Sequence, residues 1–271
     1  MIEASEALHY LQAVFTERTL TIAVSQSGES AEMVRLLSGG LLRGPSIGVT
    51  NSPGSTLATQ STFTLLTHAG PESTVSCKTY LAGLQALHWL GSGLLDPDLV
   101  PAQDQIESLS GLVEDYLASW PAHVDAIREE LSGIEQIFVT GRGASLSTAG
   151  TGGLILKEST RFSCEGMSSA AFRHGPLEML SSRVLACICL GDSRTAALNL
   201  RLFEEARRGH AKAFLIGPSS VHSAFRIPTV EASLLPVLEI LPIQMLSLAL
   251  AARLGIEAGR FTLAAKITAT E

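Results

Sequence analysis

Three serines, a glutamine and a glycine stand together in Ser25-Gln26-Ser27-Gly28-Glu29-Ser30, between an apolar run and a helical pattern. The run Leu20-Thr21-Ile22-Ala23-Val24 reads as a short β-branched strand, and Met33, Leu36 and Leu37 downstream have helical spacing. A parallel strand that turns sharply into a helix leaves the first amides of that helix unpaired and pointing outward. They attract an anion, and serine hydroxyls add donors. The loop holds no Lys, which excludes a Walker A loop. An ordinary Ser/Gly turn, with Ser27 or Ser30 capping the helix, fits the same residues.

Extended by Ala31-Glu32, the stretch resembles the SQSGE[ST]-A-[DE] phosphosugar loop of sugar isomerase (SIS) domains, above all the isomerase half of glucosamine-6-phosphate synthases and their stand-alone relatives. Four further stretches follow in that family's order. Asn51-Ser52-Pro53-Gly54-Ser55 resembles its N-x-x-G-S loop. Ala69-Gly70-Pro71-Glu72 with Val75-Ser76-Cys77-Lys78 resembles A-G-x-E…V-x-[ST]-x-K, one residue shorter. Gly141-Arg142-Gly143 with Leu156-Lys157-Glu158-Ser159 resembles G-R-G…L-K-E-[IS], and Arg173-His174-Gly175-Pro176-Leu177 resembles [LF]-[KR]-H-G-P. The likeness runs over nearly the whole chain.

The resemblance implies roles. Ser25, Gln26, Ser27 and Ser30 would hold a phosphate and Ser76 the sugar hydroxyls. Moving a carbonyl between C1 and C2 of a sugar phosphate needs an opened ring, a base that carries a proton between adjacent carbons, and a stabilised enediol. The family's catalytic glutamate matches Glu158. Sixteen residues on, His174 matches the histidine that aids ring opening from the neighbouring subunit, so the resemblance implies a homodimer. The tail Leu263–Glu271 resembles L-x-K-S-V-T-V-E; its lysine, Lys266, would lie by the sugar and in some members forms a Schiff base, which desolvation favours by keeping an amine neutral. Taken alone, a Lys-Glu pair near a helix end is a solvated face, a His before Gly-Pro is a turn residue, and Lys266 is a terminal cation. No metal or cofactor is implied.

Several departures shape the expectation. Ile155 stands where the synthases carry a lysine one turn before the glutamate, and Gly255-Ile256-Glu257-Ala258-Gly259-Arg260 replaces their D-x-D-x-P-R stretch. Ala4-Ser5-Glu6 matches the end of the family's second strand, so the first strand, its Gly-Thr-Ser turn and its helix are expected to be missing. Without a glutaminase segment or an N-terminal Cys nucleophile, the expected activity is that of a phosphosugar isomerase or aminosugar-phosphate deaminase on fructose 6-phosphate or glucosamine 6-phosphate-type substrates. The alternative is a sugar-phosphate-binding protein without turnover.

The elements that must position these residues alternate as strand and helix, which signals parallel sheets with βαβ connections. With the resemblance, the fold class is α/β: two tandem SIS domains, each a doubly wound, flavodoxin-like parallel sheet flanked by helices. Residues 1–97 form the first, 98–132 a helical interdomain segment, and 133–271 the second. In the first, 45–50 and 63–67 read as strands, and a helix runs from near Val75 toward Leu90, ended by Gly91-Ser92-Gly93 and Asp96-Pro97. In the second, 136–140, 184–190 and 213–217 read as strands, and Glu239-Ile240-Leu241-Pro242-Ile243 leads into a last helix.

Composition sets the outer bounds. The chain has 271 residues, 46% of them hydrophobic, which suffices for two cored domains. A net charge of −7 argues against nucleic acid as a partner. No apolar run is expected to reach the length of a bilayer span, and the first residues lack a basic leader segment. Cys77, Cys164, Cys187 and Cys189 have no metal-ligand spacing; Cys187 and Cys189 read as core, pointing to a reducing, cytoplasmic setting.

Overall fold

Short β-branched runs, each followed by turn residues, make a parallel sheet of each part of this chain. The computed structural model describes residues 2–263 and divides the chain into two compact units. Unit 1 comprises the residues up to Pro97 with those described from Phe261 onward, and unit 2 is Asp98–Arg260.

Unit 1 contains α1 (Ala4–His9), β1 (Thr21–Val24), α2 (Ala31–Ser38), β2 (Ser46–Thr50), α3 (Thr56–Gln60), β3 (Phe63–Leu66) and α4 (Lys78–Leu95). Its strands lie in the order β1-β2-β3, all parallel, with Ile22 beside Ile47 and Ile47 beside Phe63. Ala23, Met33 and Leu57 form its small core, with Leu37 packed against them. Among the described residues no strand pairs with the outer side of β1, and Ile22 and Val24 are 41% and 50% exposed.

Two expectations for this unit are corrected. Ala4-Ser5-Glu6 does not end a strand; it opens α1, whose Ala7 and Leu8 cluster with Phe15 and Leu36. A run rich in Ala, Glu and Leu favours helix. Helix α4 does not stop at Gly91-Ser92-Gly93 but continues to Leu95. Ser92 Oγ donates to the carbonyl of His88 at 2.9 Å, and the residue before Pro97 leaves the helical region.

Unit 2 contains α5 (Val100–Leu117), α6 (Trp120–Glu130), β4 (Gln136–Gly141), α7 (Ser145–Thr160), β5 (Cys164–Ser168), α8 (Ser169–Phe172), β6 (Val184–Cys189), α9 (Ala196–Arg208), β7 (Lys212–Ile216) and α10 (Leu235–Leu254). The parallel order is β5-β4-β6-β7. Central β6 is buried at every position, as a parallel strand covered on both faces must be. Side chains alternate across the sheet. Phe138 packs edge-to-face on Phe172 of α8 at 5.0 Å, in a cluster with Leu202 and Ala206 of α9. Val139 faces the other way, toward Gly152 of α7, which also meets Ile243 of α10.

The sequence reading missed β5, because Cys164-Glu165-Gly166-Met167-Ser168 carries no β-branched residue. Helices α5 and α6, expected between the domains, belong to unit 2: α6 packs on α10, and the Tyr116 hydroxyl donates to the carbonyl of Ala224 at 2.7 Å. Glu239–Ile243 does not precede the last helix but lies within it, with Pro242 inside α10. Contrary to expectation, α10 is long and apolar enough to span a membrane by length and composition; in this fold it is a buried core helix.

Candidate functional site

In unit 1 the serine loop follows β1 directly and is built from its own side chains. Ser25 N–H still donates to Val49 O at 3.0 Å, continuing the ladder. Ser25 Oγ then accepts from Gly28 N–H at 3.1 Å, and Ser27 Oγ accepts from Glu29 N–H at 3.2 Å. Gly28 is buried with φ +66°, and a Cβ there would lie 2.3 Å from Ser55 Oγ, so only glycine fits. The Glu29 carboxylate turns away to accept from the amide of Thr56 and from its hydroxyl. Ser30 stands at the N-cap of α2 in extended geometry, yet its side chain makes no capping bond. The loop therefore offers hydroxyls, the Gln26 amide and the start of a helix, and turns its own carboxylate, Glu29, away. That is a setting for an anion.

Two further loops at the carboxyl ends of the strands close around it. Asn51 N–H donates to Gln26 O at 3.1 Å, Asn51 Nδ2 donates to Gly70 O at 2.8 Å, and Asn51 Oδ1 accepts from Ala69 N–H and Thr67 Oγ1. Glu72 then caps α4: its Oε1 accepts from the amides of Cys77, Lys78 and Thr79 at 2.9–3.3 Å. This bracket places half-buried Ser76 immediately ahead of that helix. The sequence reading quoted Glu72 without giving it a role; its place just before a helical pattern was the available signal.

In unit 2, Glu158 is half-buried near the end of α7, with Ile155 turned into the core at 2% exposed. Two backbone contacts hold α7 against β5: a Cβ on Gly153 would lie 2.5 Å from Gly166 N, and one on Gly166 only 1.9 Å from Ala149 O. The end of the helix is tied to the chain leaving α10. Gly259 N–H donates to Ser159 O at 3.2 Å, and Arg161 donates to Arg260 O at 2.9 Å. Lys266, six residues beyond Arg260, lies outside the described residues.

His174 lies elsewhere. It is exposed in the turn after α8, and its neighbour Arg173 pairs with Glu205 at 2.7 Å. Helix α7 runs from the carboxyl to the amino ends of the strands, and the five-residue β5 returns before α8 begins. About 13 Å of strand rise alone separates the two levels. Within one chain Glu158 and His174 therefore sit at opposite ends of the sheet.

With this geometry in place, a protein-family model for the SIS domain matches residues 1–91 and 130–254, most of the chain. The chain belongs to the SIS domain family. Its curated relatives include the glutamine–fructose-6-phosphate aminotransferase (isomerizing) of Thermococcus kodakarensis, 32% identical over 93% of this chain and 44% of the relative. The chain thus spans less than half the length of that relative. Two solved structures share the fold over nearly all of this chain. The C-terminal domain of glucosamine-fructose-6-phosphate aminotransferase from Francisella tularensis superposes with a TM-score of 0.80 at 22% identity, covering 95% of this chain and 77% of that one. A glucosamine-6-phosphate deaminase from Thermotoga maritima gives 0.78 at 20% identity, covering 97% and 79%.

One buried charged residue of this SIS chain lies outside every family motif given above. Glu239 of α10 is 1% exposed and accepts from Ser145 Oγ at 2.8 Å and Thr148 Oγ1 at 3.0 Å. Burial raises its carboxyl from the ordinary value to about 6, against the pull of those two hydroxyls and the Gly191 amide. Its titratable neighbour Cys189 is pushed well above its usual range by the same burial. A carboxyl whose folded value is raised stabilises the fold fully below its unfolded value and loses that contribution as pH rises through about 6. Replacing it with glutamine removes the loss. Across urea titrations from about pH 4 to about pH 7, E239Q is expected to gain about 2 kcal/mol relative to the unsubstituted chain. A flat difference would show that Glu239 does not titrate in that window.

Proposed function

We propose that this chain is a phosphosugar isomerase or aminosugar-phosphate deaminase acting on fructose 6-phosphate or glucosamine 6-phosphate-type substrates. The observation that carries the reading is the serine loop, whose donors are arranged for a phosphate and whose own acid is turned away. Ser25, Gln26, Ser27 and Ser30 hold the phosphate in this reading, and Ser76 meets the sugar hydroxyls. Glu158 moves the proton between C1 and C2. Lys266, placed by the tail motif alone, meets the carbonyl. His174 opens the ring of the substrate bound to a second copy, because its own chain sets it at the other end of the sheet from Glu158. The active species is then a homodimer.

Incubation with fructose 6-phosphate and ammonia, and separately with glucosamine 6-phosphate, tests the reading through product formation in either direction. Ser27→Ala removes one charge-assisted phosphate contact and is expected to raise KM about 10–100-fold with a smaller change in kcat. An unchanged KM would take the phosphate away from this loop. One observation favours a second reading, binding without turnover: Ile155 is sealed in the core where the synthases carry a lysine. Saturable binding of glucosamine 6-phosphate with no product in either direction would establish that reading instead.

A further inference from the structure

Unit 2 has a crevice of its own at the carboxyl ends of its strands. The chain steps from β5 across β4 to β6, so connections leave in opposite directions between β4 and β6, the place where doubly wound sheets take ligands. Two turns line it: residues 141–145 lead from β4 into α7, and residues 190–195 lead from β6 into α9. They meet closely. A Cβ built on Gly191, whose φ is +73°, would lie 3.5 Å from Ser145 Oγ and 3.3 Å from Thr195 Oγ1. An anionic ligand entering here would be met by the hydroxyls at the start of α7 and by the Gly191 amide.

Those donors already have an acceptor. The Glu239 carboxylate reaches in from α10 and takes Ser145 Oγ and Thr148 Oγ1, and the Gly191 amide favours its charged form. The adjoining turn is filled in the same manner. The Asp192 carboxylate accepts from Arg194 N–H at 3.0 Å and from Arg194 Nε at 2.9 Å, and the Asp192 carbonyl accepts from the Thr195 amide at 3.1 Å. In the serine loop of unit 1 the corresponding amides of Gly28 and Glu29 donate to neutral hydroxyls instead. Two buried polar atoms at the edge of the second crevice, Thr195 Oγ1 and Asn199 Oδ1, have no protein partner.

We infer that Glu239 is a built-in anion, its carboxylate standing where a ligand's anionic group would sit in unit 2, so that the chain takes a phosphate-bearing ligand in unit 1 alone. The assignment of unit 1 as the ligand side rests on the phosphate reading of the serine loop, whereas the closing of the unit 2 crevice, which the test below addresses, stands apart from it. It makes the second sheet a closed counterpart of the first: the same topological position, occupied by the chain itself. Helix α10 is thereby pinned to the start of α7.

Glu239→Ala deletes a methylene and a carboxylate, the outline of one acetate ion. In about 0.3 M sodium acetate, against sodium chloride of equal ionic strength, the unfolding midpoint of E239A is expected to rise by about 3–6 °C as acetate fills the vacated position. The unsubstituted chain, whose crevice is occupied, and Glu239→Leu, which fills the space without charge, are expected not to respond. If E239A is unfolded in chloride, refolding from denaturant in acetate is the equivalent positive result. An equal acetate response in all three proteins overturns the inference. So does an E239A response no larger than that of E239L, or an E239A chain that stays unfolded in both salts.

Discussion

Glu158→Gln is expected to lower kcat for sugar-phosphate isomerisation by about 10²–10⁴-fold while leaving KM within a few-fold of the unsubstituted value. Glutamine keeps the size of the side chain and removes the site of protonation. Packing near the end of this helix is carried by Ile155, Leu156, Ser159 and Thr160, which are buried, while Glu158 is half-buried, so the exchange leaves the packing alone. His174→Ala is expected to be similarly impaired, through ring opening. Because Glu158 and His174 occupy opposite ends of the unit 2 sheet, the two variants should complement one another. In a symmetric dimer, a mixed pair rebuilds one complete site from the His174 of one chain and the Glu158 of the other. Random reassortment of equal amounts then restores about a quarter of the full activity. Activity of the mixture no greater than the sum of the separate variants would place both residues in one chain's site, or neither in any.

How much of this was legible in the sequence depends on which force decides each element. The strands over 46–50, 63–66, 136–141 and 184–189 were readable because β-branched and apolar runs bounded by turn residues suit a doubly covered parallel strand. The serine loop was readable for a related reason: its residue types state their hydrogen-bonding capacity directly. Strand β5 was not, since Cys164–Ser168 owes its conformation to a neighbour. Gly166 is small so that α7 can touch it, which is a tertiary fact without local periodicity. Pro242 misled for a similar reason. Read locally, proline marks a helix start, but within α10 burial against α6 and α7 outweighs one missing amide. Glu239 looked like an ordinary acid ahead of a helix, and only the assembled sheet shows which hydroxyls face it. Lys266 lies outside the described residues, so its place rests on the tail motif alone.

The contact between α7 and β5 leads to the second large effect, a loss of both stability and catalysis in Gly166→Ala. The added Cβ would lie 1.9 Å from Ala149 O, 2.7 Å from Ala149 C and 3.1 Å from Gly150 Cα. All three are backbone atoms of a helix, so no side chain can rotate aside to make room. Relief requires moving α7 away from the sheet, which opens its packing on Val139 and on α10. The expected destabilisation of unit 2 is about 3 kcal/mol or more, seen as a midpoint lower by roughly 6–12 °C. The control lies on the same helix. Gly150 is exposed, and a Cβ there meets nothing within 4 Å, so Gly150→Ala replaces a poor helix former with a good one and should stabilise by about 0.5–1 kcal/mol. Helix α7 also carries Glu158, and in the function proposed above an ångström of displacement at its carboxylate is enough to lower turnover on the order of 10²-fold. Activity measured well below its own midpoint should therefore remain low in G166A and normal in G150A. If G166A instead matched the unsubstituted chain in both midpoint and turnover, α7 would not rest on β5 through these glycines, and the positioning of Glu158 would need another cause.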